Sequence, residues 1–60
     1  MNKSREVLFE FRKVGNAVKV SAVDAATGTE VSIVGDARAP QAQLKALALK
    51  KLDFVMSKKG

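Results

Sequence analysis

The chain of 60 residues has no cysteine, histidine, tryptophan or tyrosine, and a single proline. Each absence excludes something. Without cysteine no disulfide can staple the fold, and without cysteine or histidine the usual zinc sets cannot form. Nucleophilic triads need a base, and only lysines and carboxylates remain; no activating motif surrounds Ser4, Ser21, Ser32 or Ser57. The six carboxylates are scattered instead of clustered as metal ligands. The chain is therefore read as non-enzymatic, with no catalytic, metal or cofactor-binding residue and no evident small-molecule substrate. Long apolar runs are missing too. Nothing approaches the ~20 residues of a membrane span, and the basic start lacks the apolar stretch of a signal peptide. Together with the missing cysteines this fits a reducing cytoplasm. The chain opens at Met1 and reads as one small protein, a single domain over 1–60.

What is present is patterned. Residues 6–14 alternate, with Val7, Phe9 and Phe11 on one side and Leu8, Glu10 and Arg12 on the other, the period of a half-buried strand. Gly15-Asn16 is a two-residue turn whose leading glycine suits type II′. Residues 17–24 alternate again, with Val18, Val20 and Ala22 together. Asp24 to Glu30, containing Thr27-Gly28, reads as a longer hairpin loop in which Gly28 turns left-handed and Asp24 bonds the turn backbone. Residues 30–34 form a third strand. The two hairpins can be checked against each other. The first pairs Phe11 with Val20 and Phe9 with Ala22; the second pairs Ala22 with Val31 and Val20 with Ile33. All six then share one face, an agreement that a one-residue slip in either hairpin would destroy.

Gly35 to Ala39 reads as a connector, and Pro40 as the first residue of a helix over about 40–57, with Lys58 to Gly60 fraying. One arginine and one glycine in this connector do not make a phosphate site, and Asp36 opposes one. The expected fold is α+β: a three-stranded antiparallel meander followed by one C-terminal helix packed on one sheet face.

That helix is apolar around too much of its circumference. Leu44, Ala48, Leu52 and Val55 lie within about 80° of one another at 100° per residue. Leu47 and Phe54 widen the stripe on one side, Leu49 and Met56 on the other, to roughly 220°, against the ~100° that a helix on a sheet normally buries. A chain this short has little with which to cover the excess, so a second copy is expected, a dimer being the simplest homo-oligomer, with Leu47, Leu49, Phe54 and Met56 as the self-association residues. Lys45 and Lys51, inside the arc, can snorkel out of it.

Charge supplies the competing reading. The net charge is +5, concentrated at the two ends of the chain and mostly on the helix. Such a surplus suits a solvated helix, but also permits binding to nucleic acid through Arg12, Lys13, Lys19, Lys50 and Lys51. Arg12 is expected to face Lys19 across the first hairpin, on the outer sheet face. Against a nucleic-acid surface stand Glu10 and Glu30 on that same face and the assignment of all three phenylalanines to inward positions.

The segments Phe9-Glu10-Phe11-Arg12-Lys13-Val14-Gly15-Asn16, Asp24 to Glu30, and Gly35-Asp36-Ala37-Arg38-Ala39-Pro40 together resemble a short uncharacterised bacterial domain family of β-β-β-α type. The resemblance covers nearly the whole chain and rests on structural turns. It implies the fold and no site residue. The sequence thus points to a non-catalytic, self-associating binding or structural module, with a nucleic-acid-binding domain as the alternative.

Overall fold

A computed structural model describes residues 6–59. Three strands, β1 (Val7–Val14), β2 (Ala17–Asp24) and β3 (Glu30–Asp36), precede one helix, α1 (Gln41–Lys59). The sheet is an antiparallel meander in the order β1-β2-β3.

Both registers are those the alternation predicts. Phe11 faces Val20 and Phe9 faces Ala22 in the first hairpin; Ala22 faces Val31 and Val20 faces Ile33 in the second. The turns enforce them. Gly15 has φ +61° while Asn16 stays at negative φ, the pattern of a type II′ turn. At the second turn Gly28 has φ +76°, and the Asp24 carboxylate accepts the N–H groups of Ala26 (2.9 Å) and Thr27 (3.1 Å). Asp24 is buried, and one of its oxygens thereby organises a loop that has no side-chain core of its own.

The core lies between the sheet and α1. Val18, Val20, Ala22 and Val31 meet Leu44, Ala48 and Leu52, with Val7, Phe9, Phe11, Ile33, Leu49, Val55 and Met56 half-buried around them. The helix stripe is the one its periodicity predicts. Leu52 and Val20 are the largest fully buried side chains, so no phenylalanine is among them.

Four boundaries differ from expectation, the first being β1, which begins at Val7 and not at residue 6. Strand β3 continues two residues past Val34, because Gly35 pairs with Val18 and Asp36 with Ala17. The Asn16 carbonyl then accepts the Ala37 N–H at 3.0 Å, extending the ladder beyond the strand. At the other junction Pro40 caps the helix instead of opening it: its carbonyl accepts the first helical bond, from Leu44, at 3.2 Å. The helix also persists through Lys59 where fraying from Lys58 is expected; basic side chains in its last turn favour that end of the helix dipole. Gly60 lies outside the described residues.

Gly35 positions the helix. A Cβ built there would stand 2.5 Å from Leu44 Cδ2, so the missing side chain is what lets α1 descend onto the end of β3. The helix consequently lies over β2 and β3, with only slight contact to β1.

Candidate association surface

A helix centred over β2 and β3 has two flanks with different surroundings. On the β1 side, Lys45 holds its ammonium 5.0 Å from the centre of the Phe9 ring, a cation–π distance. Leu49, one turn further on, and Met56 share this flank. Both are half-buried and pack against the core. The sheet's own residues meet them.

The other flank is the more exposed. Leu47, Lys51, Phe54 and Lys58 follow at spacings of four, three and four, one stripe along the helix. Leu47 is 48% exposed and Phe54 62%. Lys51 marks where this stripe runs, since its Nζ donates to the Ser32 carbonyl at 2.9 Å. That carbonyl belongs to the free edge. The two-residue turn makes Val14 and Ala17 a hydrogen-bonded pair, so residues 17, 19, 21 and 23 bond toward β1 and residues 18, 20, 22 and 24 toward β3. Val31, Ile33 and Gly35 answer from β3. The backbone groups of Glu30, Ser32, Val34 and Asp36 therefore point outward, away from the sheet. Leu47 and Phe54 overhang this edge, and Lys58 lies 5.3 Å above the Phe54 ring. The expectation that all three phenylalanines turn inward fails for Phe54: the helix is displaced toward β3, and its far flank passes beyond the last strand.

The four predicted self-association residues are thus divided. Leu47 and Phe54 are together and exposed; Leu49 and Met56 are together on the opposite flank, partly covered by their own chain.

The five cations proposed for nucleic acid do not share one surface. Arg12 and Lys19 face each other on the outer sheet face, as expected, and line a shallow hollow with Glu10, Ser21 and Glu30. Carboxylates thus border the cations. Lys13 lies on the helix side of β1, Lys50 on the exposed back of the helix, and Lys51 at the β3 edge. A hollow of about 390 Å³ is lined by Lys13, Asn16, Asp36, Ala37 and Arg38. There the Asp36 carboxylate accepts the Arg38 backbone N–H at 2.8 Å and pairs with its guanidinium at 3.3 Å. These bonds, the backbone one foremost, hold the Asp36 carboxyl below its ordinary pKa. Arg38 is accordingly engaged within its own turn. Among the described residues no three carboxylates gather as a candidate cation site, and no helix is long and apolar enough to cross a membrane.

What the fold and this surface define is a small two-layer α+β domain with an overhanging apolar flank. The chain belongs to the family described as Domain of unknown function (DUF6898), whose model matches residues 4–59. No curated protein and no solved structure matches it.

Sequence reasoning missed two features of the site. The outward direction of Ser32 and its neighbours was implicit in the two-residue turn, which fixes the hydrogen-bonding parity of every later strand residue. The lateral placement of the helix had a fainter signal: a glycine in register with Val18, where the alternation calls for a side chain.

Proposed function

We propose that the chain is a non-catalytic module that works by self-association through the Leu47–Phe54 flank of its helix. The observation that carries this reading is the exposure of those two side chains in a chain that fully buries no phenylalanine. Both lie on one flank of the helix, two turns apart with Lys51 between them, and large apolar groups gathered on one exposed face mark interaction surfaces more often than isolated ones do.

Magnitudes set the expected strength. Fully burying a leucine or phenylalanine is worth about 1.5–3 kcal/mol. Covering the exposed half of each, on both copies, supplies roughly 4 kcal/mol in total, the lower limit of what association costs. These side chains alone give at most a weak dimer, and any firmer one recruits further surface. Because a chain of 6.4 kDa has a small core, association also adds to its stability by mass action.

Sedimentation equilibrium tests the proposal from about 1 μM to about 1 mM, the range that reads association free energies of roughly −8 to −4 kcal/mol. The wild-type mass should rise above 6.4 kDa with concentration. The double variant Leu47→Lys with Phe54→Lys should remain a folded monomer by circular dichroism. A wild type that stays monomeric throughout, or a folded double variant that associates as before, refutes the proposal.

A further inference from the structure

We infer that a second copy of the chain docks along the free edge of β3 about a two-fold axis at Ser32, joining two three-stranded sheets into one of six strands and setting the two helices side by side. This rests on the self-association reading and adds its geometry.

The lateral fit comes first. α1 contacts β2 and β3 about equally; an axis midway between them would stand half a strand spacing inside β3, or ~2.4 Å. One added strand spacing of ~4.8 Å and the equal offset of the second copy give an interaxial distance of ~9.6 Å. Helices pack at 8–10 Å. Pairing the edges therefore brings the helices to contact distance without any rearrangement of either copy.

The longitudinal fit selects the register. Leu44 stands over Gly35, and Lys51 reaches Ser32, so the helix runs back down the strand. At ~1.5 Å per residue, Leu47 and Phe54 lie about 4.5 and 15 Å below Leu44. Their midpoint, about 10 Å down, falls three strand residues before Gly35 at ~3.3 Å each, which is Ser32. A two-fold there places Leu47 of each copy against Phe54 of the other. It also sets Glu30 opposite Val34. The neighbouring register, centred on Ile33, would instead set Glu30 opposite Asp36, a like-charge pair.

The area is sufficient. Seven residues of β3 make a flank about 24 Å long, and helix and sheet together stand roughly 20 Å high. The two copies then bury on the order of 1,000 Å², the floor for a biological interface and the size of a weak one. One element opposes the seam. Lys51 now occupies a free edge acceptor, and the rotation brings the two Lys51 ammonium groups together at the axis. A lysine at a helix–helix seam costs stability while fixing register, and on a free edge it discourages indiscriminate strand pairing. Lys51 thus weakens this contact, and its removal is diagnostic.

The absence of native cysteine makes the test clean. Ser32 faces itself as a hydrogen-bonded pair, with Cα atoms about 5.5 Å apart, so a short bifunctional thiol reagent bridges the two copies of a Ser32→Cys variant. With that reagent Ser32→Cys should form a covalent dimer at concentrations where the wild type associates, and Lys13→Cys at the β1 edge should not. Lys51→Met, which keeps the stem and removes the charge, should lower the dissociation constant roughly tenfold at low salt, and added salt should strengthen wild-type association. If the wild type sediments as a dimer but Ser32→Cys stays uncrosslinked, or Lys13→Cys crosslinks in its place, this seam is wrong while self-association stands. Lys51→Met dimers no tighter than wild type overturn it equally. A wild type monomeric at every concentration overturns both readings.

Discussion

Replacing Gly35 with alanine decides whether the helix position is set by steric contact at one residue. Two opposite magnitudes compete. Gly35 has no positive φ, so alanine fits the backbone there and should stabilise by about 0.4–1 kcal/mol through the unfolded chain if nothing else intervened. The structure supplies the intervention. The new Cβ would stand 2.5 Å from Leu44 Cδ2, more than 1 Å inside the ~3.5–4.0 Å of an ordinary carbon contact. Leu44 is 3% exposed and packed in the core, so it cannot simply swing into water. Overpacking of this kind costs about 1–3 kcal/mol. We expect Gly35→Ala to be net destabilising by about 1–2 kcal/mol, the clash exceeding the entropic gain. A double-mutant cycle isolates the cause. Leu44→Ala alone leaves a cavity and costs about 2–5 kcal/mol. Added to it, Gly35→Ala should cost nothing or restore stability, because its methyl enters the vacated space. The coupling should exceed about 1 kcal/mol, well above the ~0.3–0.5 kcal/mol within which independent sites add. Urea titrations at a protein concentration low enough to keep every variant monomeric measure all four corners. Additive effects, or a Gly35→Ala variant more stable than wild type, would refute the steric account of how α1 is placed.

The other expectations are simpler. Asp24→Ala removes a buried carboxylate that accepts two loop N–H groups, and should cost about 1–3 kcal/mol. For a domain this small that lowers Tm by about 4–8 °C per kcal/mol, with Asp24→Asn milder because it keeps an acceptor at Oδ1. Asp36 should make stability depend on pH in the acid range. Its carboxyl titrates below the ordinary value of 3.8 when folded, so its contribution is complete above that value and disappears as pH falls through the folded pKa. The gap in urea midpoint between wild type and Asp36→Asn should narrow as pH is lowered from about 5 through the acid range, and a gap that does not change with pH contradicts the assignment. Leu49→Lys, on the flank leaning toward β1, should unfold or strongly destabilise the chain, whereas Leu47→Lys should leave thermal stability of the dilute monomer within about 0.5 kcal/mol. Equal losses in the two variants would mean the flanks are not distinguished as the structure places them.

Much of this architecture was legible in the residues, and the reason is parity. Strand faces alternate with period two, so two independent hairpin registers either agree on one buried face or fail together. Gly15-Asn16 and the Asp24–Gly28 loop left no freedom, and Phe9, Phe11, Val20, Ala22, Val31 and Ile33 fell on one side. Leu44, Ala48, Leu52 and Val55 were equally plain on the helix. What the pattern could not say was which flank of the apolar arc would be covered. Helical periodicity fixes the angle of each side chain about its own axis but carries no information on where that axis rests across three strands.

That lateral freedom decides where the apolar excess ends up. Three strands at ~4.8 Å make a layer about 14 Å wide, and a helix with its side chains is about 10–12 Å across. One helix covers two strands well and the third poorly. Centred on β2 it would share its flanks evenly, and Leu47 and Leu49 would be equally sheltered. Drawn toward β3 by the vacancy at Gly35, it leaves β1 to be roofed by Lys45, Leu49 and Met56 and pushes Leu47 and Phe54 past the last strand. The displacement also carries Lys51 to the Ser32 carbonyl, so the apolar overhang and the unpaired backbone edge occupy one side of the molecule. A single missing methyl therefore links the internal packing of the domain to the surface proposed for association. Gly35→Ala should accordingly weaken association as well as stability, even at protein concentrations and temperatures where the variant is fully folded.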